Sequence, residues 1–214
     1  MADPLTPPPA SLIHELPGII DRLDLPNMFA RIQPLEVELG SGDGSFLVDY
    51  AAGHPQLNLL GVERLLGRLR KIDRKGRRAG LANLRCVRME ASYFLEYLLP
   101  PHSAGAIYIY FPDPWPKRRH RGRRLIAGPF AKTAWQALAP GGVVWLRTDD
   151  AAYFAQMREV FGASPLFQET QTPPALAVLL TDFERDFNQK GIPTLRAAYR
   201  ARGGESQPNR RDAS

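Results

Sequence analysis

The chain has 214 residues, a single cysteine and a formal net charge of +6, with 44% hydrophobic and 23% charged residues. That balance excludes a disordered chain, and Cys86 alone excludes both an internal disulfide and a zinc-ligand spacing, so no metal is expected. The start, MADPLTPPPA, lacks the basic and apolar stretches of a secretion signal, and no run approaches the length of a membrane span, so a soluble, cytoplasmic protein is expected.

Residues 1–34 hold seven prolines, three of them at 7–9, and read as an extended or mobile arm. From Ala201 the sequence ARGGESQPNRRDAS is polar and without periodicity, and residues 201–214 read as a fraying tail. Between them, residues 35–200 alternate short apolar runs with helical patterns, the mark of βα units. LEVELG (35–40) predicts a first strand and SFLVDYAAGH a helix behind it. LNLLGVE (57–63) predicts a second strand, followed by a basic helix from Arg64 to about Gly80. NLRCVRM (83–89) gives a third strand and ASYFLEYL a short helix, and AGAIYIYF (104–111) gives a fourth strand of β-branched and aromatic residues. LIAGPFAKTAWQAL predicts a helix, GGVVWLRTD (141–149) a fifth strand, and AAYFAQMREVF the next helix. The remainder, to about Tyr199, predicts an antiparallel pair with TDFERDFNQKG helical between its strands. The expected fold is α/β, with a doubly wound, mostly parallel sheet of seven strands and helices on both faces.

Charge is unevenly placed. Ten Lys or Arg stand against one acid, Asp73, from Arg64 to Arg88, and six of the eight residues from Lys117 to Arg124 are Lys or Arg. Two such clusters are either solvated faces or grips for a phosphate backbone.

In sheets of this kind ligands bind at the carboxyl ends of the strands, and the first βα turn is the usual place. Here the turn carries Glu38, Gly40, Gly42 and Gly44, and glycines at alternate positions let the backbone pass close to a ligand. The spacing is not the G-x-G-x-x-G of dinucleotide sites, and Glu38 would repel a pyrophosphate. It suits a ligand carrying an ammonium and a sulfonium. Glu63, nineteen residues after Gly44, ends the second strand where an acid accepts ribose hydroxyls. Glu90 ends the third, either meeting an adenine amino group or standing as a solvated acid at a helix N-terminus, favoured there by the dipole. Together these point to S-adenosylmethionine.

FPDPWP follows the fourth strand directly, placing Asp113 at the same sheet edge. Prolines at 112, 114 and 116 stiffen the turn around this carboxylate and Trp115, which either stacks on a base or packs beneath the turn.

FPDPWPKRRHRGRR, together with VELGSGDG, LGVE, RTD and the later TDFE (181–184), resembles the signature of the bacterial tRNA (guanine-N(7)-)-methyltransferase family over about residues 35–199. The resemblance implies a class I methyltransferase fold, S-adenosylmethionine as donor and a variable-loop guanine of tRNA as acceptor. It implies cofactor contacts at Glu38, Glu63, Glu90 and Asp113, with Asp113 also catalytic, and substrate contacts at Lys117, Asp149, Thr181, Asp182, Phe183 and Glu184. It further implies RNA contacts at Arg119, His120, Arg121, Arg123 and Arg124. The chain departs from the family pattern at Glu90, where Asp or Asn is common, and at Asp182 and Phe183, where a basic or polar residue and Tyr are common.

Read from the residues alone, Thr181 and Glu184 are also spaced as a capping box, and Asp149 as a cap for the helix after it. Guanine N(7) carries an in-plane lone pair and no proton, so its methylation asks for alignment and charge stabilisation rather than a base. Competing readings are an amino-methyltransferase acting on adenine or cytosine in nucleic acid, because Asp-Pro-Trp resembles the acid-Pro-Pro-aromatic loop of those enzymes, and a non-catalytic RNA-binding module. Either a monomer or a homodimer fits.

Overall fold

The computed structural model describes residues 9–203. Its strands are β1 (Leu35–Leu39), β2 (Asn58–Val62), β3 (Leu84–Val87), β4 (Ala104–Tyr110), β5 (Leu138–Thr148), β6 (Phe167–Thr170) and β7 (Leu195–Ala201). They form one sheet in the order β3-β2-β1-β4-β5-β7-β6. The first five are parallel, and β7 runs antiparallel to both β5 and β6.

The strands are apolar on both faces, so each face carries its own core. Val37, Leu39, Ile107, Ile109, Val144 and Leu146 point to one side. There they meet helices α5 (Phe130–Ala137) and α6 (Ala151–Gly162) through Ala134, Tyr153 and Phe161. Ala106, Tyr108, Val143 and Trp145 alternate to the other side. That side is covered by α2 (Ser45–Gly53) and α3 (Leu66–Arg78), through Phe46, Leu47, Leu69 and Ile72.

β5 begins at Leu138, ahead of the glycines expected to open it. Ala104 pairs with Leu138, the register then shifts, and Ala106 pairs with Val143. A bulge thus absorbs Pro140 and the glycines, with Gly141 at φ 75°. The helix expected from Leu125 starts only at Phe130, because Gly128 (φ 50°) and Pro129 break the chain there. After β3, the short α4 (Ala91–Tyr93) runs into a π turn, Phe94–Leu98, whose wide ring closes with the Leu99 N–H donating to the Phe94 carbonyl.

Residues 9–34, the described part of the proline-rich arm, are docked along the sheet. Cys86 donates its N–H to the Leu12 carbonyl, His14 donates to Cys86, and the Leu12 N–H reaches Asp73 Oδ1 at 2.7 Å. Leu12 is fully buried, so the arm covers the edge of β3. Further on, Leu23 donates to the Leu98 carbonyl and Tyr93 Oη to that of Ile19. Residues 1–8, and all but the first three residues of the expected tail, lie outside the described residues. Among the described residues no helix is long and apolar enough to cross a membrane.

Candidate active site

Gly40, Gly42 and Gly44 all have positive φ, at 78°, 56° and 76°, so the turn after β1 is one that side-chain-bearing residues resist. Gly44 also starts α2, and a Cβ on it would stand 2.8 Å from Ile72 Cγ1. Gly61 in β2 admits the same turn: a Cβ there would lie 2.5 Å from Leu47 and 2.9 Å from Ser41 Oγ.

Glu63 fixes this turn from β2. Its Oε2 accepts the Gly42 N–H at 3.1 Å and its Oε1 accepts the Leu65 N–H at 2.8 Å, while Arg68 stands 3.7 Å away. Each oxygen keeps a further lone pair for a ligand hydroxyl. Glu38 is buried, and its Oε2 has no hydrogen-bond partner among the described residues. Burial raises its pKa to about 8, against the pull of Ser41 and Arg147. Glu90 is the N-cap of α4 and accepts the N–H groups of Ser92 and Tyr93 at 3.0 and 2.9 Å.

A cleft of about 380 Å³ joins these parts, lined by Gly40, Glu63, Arg64, Glu90, Tyr110, Asp113 and neighbouring residues. Asp113 is exposed on its rim and pairs with Arg64 at 3.6 Å. Both partners are more than half exposed, so this contact is worth less than about 1 kcal/mol and yields easily to a ligand. The turn is held at both ends: Phe111 donates its N–H to the Arg147 carbonyl at 2.8 Å, and Arg124 Nε donates to the Pro114 carbonyl at 2.6 Å. Phe111 and Trp115 have φ of 50° and 42°, unusual for bulky residues. Trp115 packs in the turn, its ring 5.2 Å from the Arg123 guanidinium and edge-on to His120.

The segment Thr181–Glu184 stands beside Phe111 and the start of α2. Thr181 caps α8 (Asp182–Gln189) by accepting the Glu184 N–H at 2.9 Å. Asp182 donates its N–H to Ser45 Oγ and lies 3.8 Å from Lys75, which also binds Asp43 of the glycine turn at 2.8 Å. Phe183 is half exposed and meets Phe111 edge-on at 5.2 Å. Glu184 is wholly buried, held by Arg147 at 2.9 Å and by Arg196, so the structure makes it a tie between α8 and the sheet. Asp149 is half buried after β5, and the helix cap is its neighbour Asp150, which accepts the Tyr153 N–H at 2.6 Å.

The basic run divides. Lys117, Arg119 and Arg123 are exposed, and His120 is half buried. Arg124 is buried: besides Pro114 it donates to Gln156 Oε1 at 2.7 Å and lies over the Tyr153 ring, so its guanidinium is taken up inside the protein. The Arg121 side chain lies outside the described residues. Sequence reasoning missed Tyr110, Arg147 and Arg196. The available signal for Arg147 was a lone charge in the apolar run GGVVWLRTD.

An acid-flanked glycine turn, a ribose-sized pair of free lone pairs on Glu63 and a buried carboxylate oxygen without a partner among the described residues fit a donor bearing ammonium and ribose groups. The fold has the architecture of a class I methyltransferase. Among solved structures it is similar to the 16S rRNA methyltransferase KamB, with a TM-score of 0.61 and 16% identity over 85% of this chain and 95% of that one, a likeness of fold alone.

Residues 32–197 match the family model described as "Putative methyltransferase". Relatives include the tRNA (guanine-N(7)-)-methyltransferase of Halorhodospira halophila, 36% identical over 193 residues, 84% of this chain and 80% of the relative. That of Sodalis glossinidius is 35% identical over 168 residues, 76% of this chain and 70% of the relative. The chain therefore belongs to the tRNA (guanine-N(7)-)-methyltransferase family, whose methyl donor is S-adenosylmethionine.

Proposed function

We propose that this protein methylates N(7) of a variable-loop guanine in tRNA. The observation that carries the reading is the meeting of the FPDPWP turn and the glycine turn around one cleft, with Phe183 of the Thr181–Glu184 segment against Phe111, in a chain with these relatives. Glu38 and Glu63 bind the donor's ammonium and ribose groups, Gly40, Gly42 and Gly44 let the protein backbone pass close to it, and Glu90 meets the adenine as well as capping α4. Lys117, Asp149, Asp182 and Phe183 frame the base, while Thr181 and Glu184 act through holding α8 in place. Arg119, His120, Arg121 and Arg123 hold phosphates, which positions the RNA without reading its sequence.

S-adenosylmethionine supplies an electrophilic methyl group on a sulfonium. The N(7) lone pair forms the new bond to carbon as the carbon–sulfur bond breaks towards sulfur, and no proton moves. The protein's task is to align the two partners, worth up to roughly 7–11 kcal/mol of barrier. The guanine ring gains positive charge as the bond forms. Asp113, on the cleft rim, offers a fixed negative charge that interacts more strongly with that ring in the transition state than in the ground state. Arg64 is its resting partner and is displaced when the base enters.

We further read the sheet as doubly wound, with residues 35–200 as the catalytic domain of a cytoplasmic protein. The test is to incubate the protein with unmodified tRNA and labelled S-adenosylmethionine and to map the labelled base. N(7)-methylguanosine in the variable loop is expected; a label on an adenine or cytosine amino group would overturn the assignment.

A further inference from the structure

Among the described residues three buried side-chain atoms lack hydrogen-bond partners, Glu38 Oε2, the Tyr110 hydroxyl and Arg196 Nε, and the first two stand on the strands whose carboxyl ends border the cleft. Glu38 is 3% and Tyr110 6% exposed. They stand on adjacent strands. Glu38 of β1 is in register with Tyr108 of β4, and Tyr110 is the next residue along β4 on that face, at the carboxyl end of the strand. Tyr110 lines the cleft together with Leu39 and Gly40, which follow Glu38 directly.

No described residue bonds to either atom. Arg147, whose guanidinium lies 4.2 Å above the Tyr110 ring, directs its bonds to Glu184 and to the carbonyls of Leu176 and Leu179. A buried hydroxyl without a partner is unfavourable, and a ligand seated in the adjoining cleft would supply one. Glu38 and Tyr110 differ in what they offer: the carboxylate only accepts, whereas the hydroxyl both donates and accepts. An amino acid group, carrying an ammonium and a carboxylate on one carbon, matches that pair of neighbours.

We propose that Tyr110 is a binding residue for the amino acid end of the methyl donor, its hydroxyl donating to the donor's carboxylate beside the ammonium held by Glu38. The proposal rests on the donor reading of the cleft. It makes the donor's amino acid end the group that completes the polar row running across the sheet from Glu38 through Tyr110 to Arg147 and Glu184. The nucleoside end is left to Glu63 and Glu90.

The test is calorimetric, on Tyr110→Phe, which removes one oxygen and keeps the ring beneath Arg147. S-adenosylmethionine and S-adenosylhomocysteine are expected to bind the variant roughly tenfold more weakly, as for loss of a hydrogen bond to a charged group. 5′-Methylthioadenosine, which shares the nucleoside but has no amino acid end, is expected to bind both proteins equally. The ligand-free variant is expected to melt no lower than the parent, because no protein group loses a bond. Unchanged affinity for S-adenosylmethionine overturns the proposal, and so does an equal weakening for 5′-methylthioadenosine or a lowered ligand-free melting temperature. If the parent binds S-adenosylmethionine and the variant weakens as stated while tRNA stays unlabelled, the proposed function fails and this assignment stands.

Discussion

Arg147 and Glu184 meet 2.9 Å apart with 1% and 0% of their side chains exposed, joining β5 to α8 inside the protein. Arg147 also donates to the carbonyls of Leu176 and Leu179. Removing Arg147 would leave the buried Glu184 carboxylate with Arg196 alone and deprive two carbonyls of their donor in a low-dielectric setting. Arg147→Ala is expected to lower stability by about 3–5 kcal/mol in urea denaturation. Arg185→Ala, which breaks exposed pairs to Asp182 and Asp49, is expected to lower it by less than about 1 kcal/mol.

The Glu38 carboxyl predicts how stability varies with pH. Its pKa is raised by burial to about 8 from 4.5, so between these values the folded protein keeps a proton that the unfolded chain has released. Stability of the ligand-free protein should therefore fall as pH rises through that window, with a slope of up to about 1.4 kcal/mol per pH unit. Holding an ammonium needs the ionised carboxylate, so donor affinity should rise over the same window. Glu38→Gln should remove both dependences; thermal melts and titrations at several pH values would reveal a slope that persists.

Two arginines in one basic run should behave in opposite ways. Arg124→Ala cuts the bonds to Pro114 and Gln156 and is expected to lower the melting temperature. Replacing Arg119, Arg121 and Arg123 together by Ala should leave melting nearly unchanged. It should reduce the salt slope of tRNA binding by about one per residue. An unchanged slope would assign the phosphate grip to the exposed side of α3, where Arg70, Lys71, Arg74 and Arg78 have no acidic partner among the described residues.

Asp113→Asn keeps the shape of the turn and removes its charge. Single-turnover methylation is expected to slow by about a hundredfold with tRNA affinity little changed. Full turnover in the variant would exclude an electrostatic role for this carboxylate.

The strands and most helices were legible because β-branched and aromatic runs separated by glycine and proline report local preference directly. Glu63 and the glycine turn were legible from spacing. Partner choice was not. Nothing within KRRHRGRR distinguishes Arg124, which turns inward because Gln156 and Tyr153 of α6 wait there, from Arg119, which does not. Glu184 looked like a capping residue or a base contact, and its burial depends on Arg147 and Arg196, distant in sequence. Prolines suggested a loose arm, whereas residues 12–14 dock because β3 offers an unpaired edge, a fact of tertiary structure alone.

Phe111 and Trp115 bracket Asp113 in backbone conformations that bulky residues avoid, each unfavourable by roughly 1–3 kcal/mol. The turn stays there because the Arg147 carbonyl holds one end and the Arg124 guanidinium holds the other. It behaves as a spring under tension, anchored at one end by the rigid sheet and at the other by Arg124, itself tied to Gln156 of α6. Substitutions that let it relax would make the fold more robust and the aspartate less accurately placed, so thermal endurance and methylation rate are set against each other within these five residues.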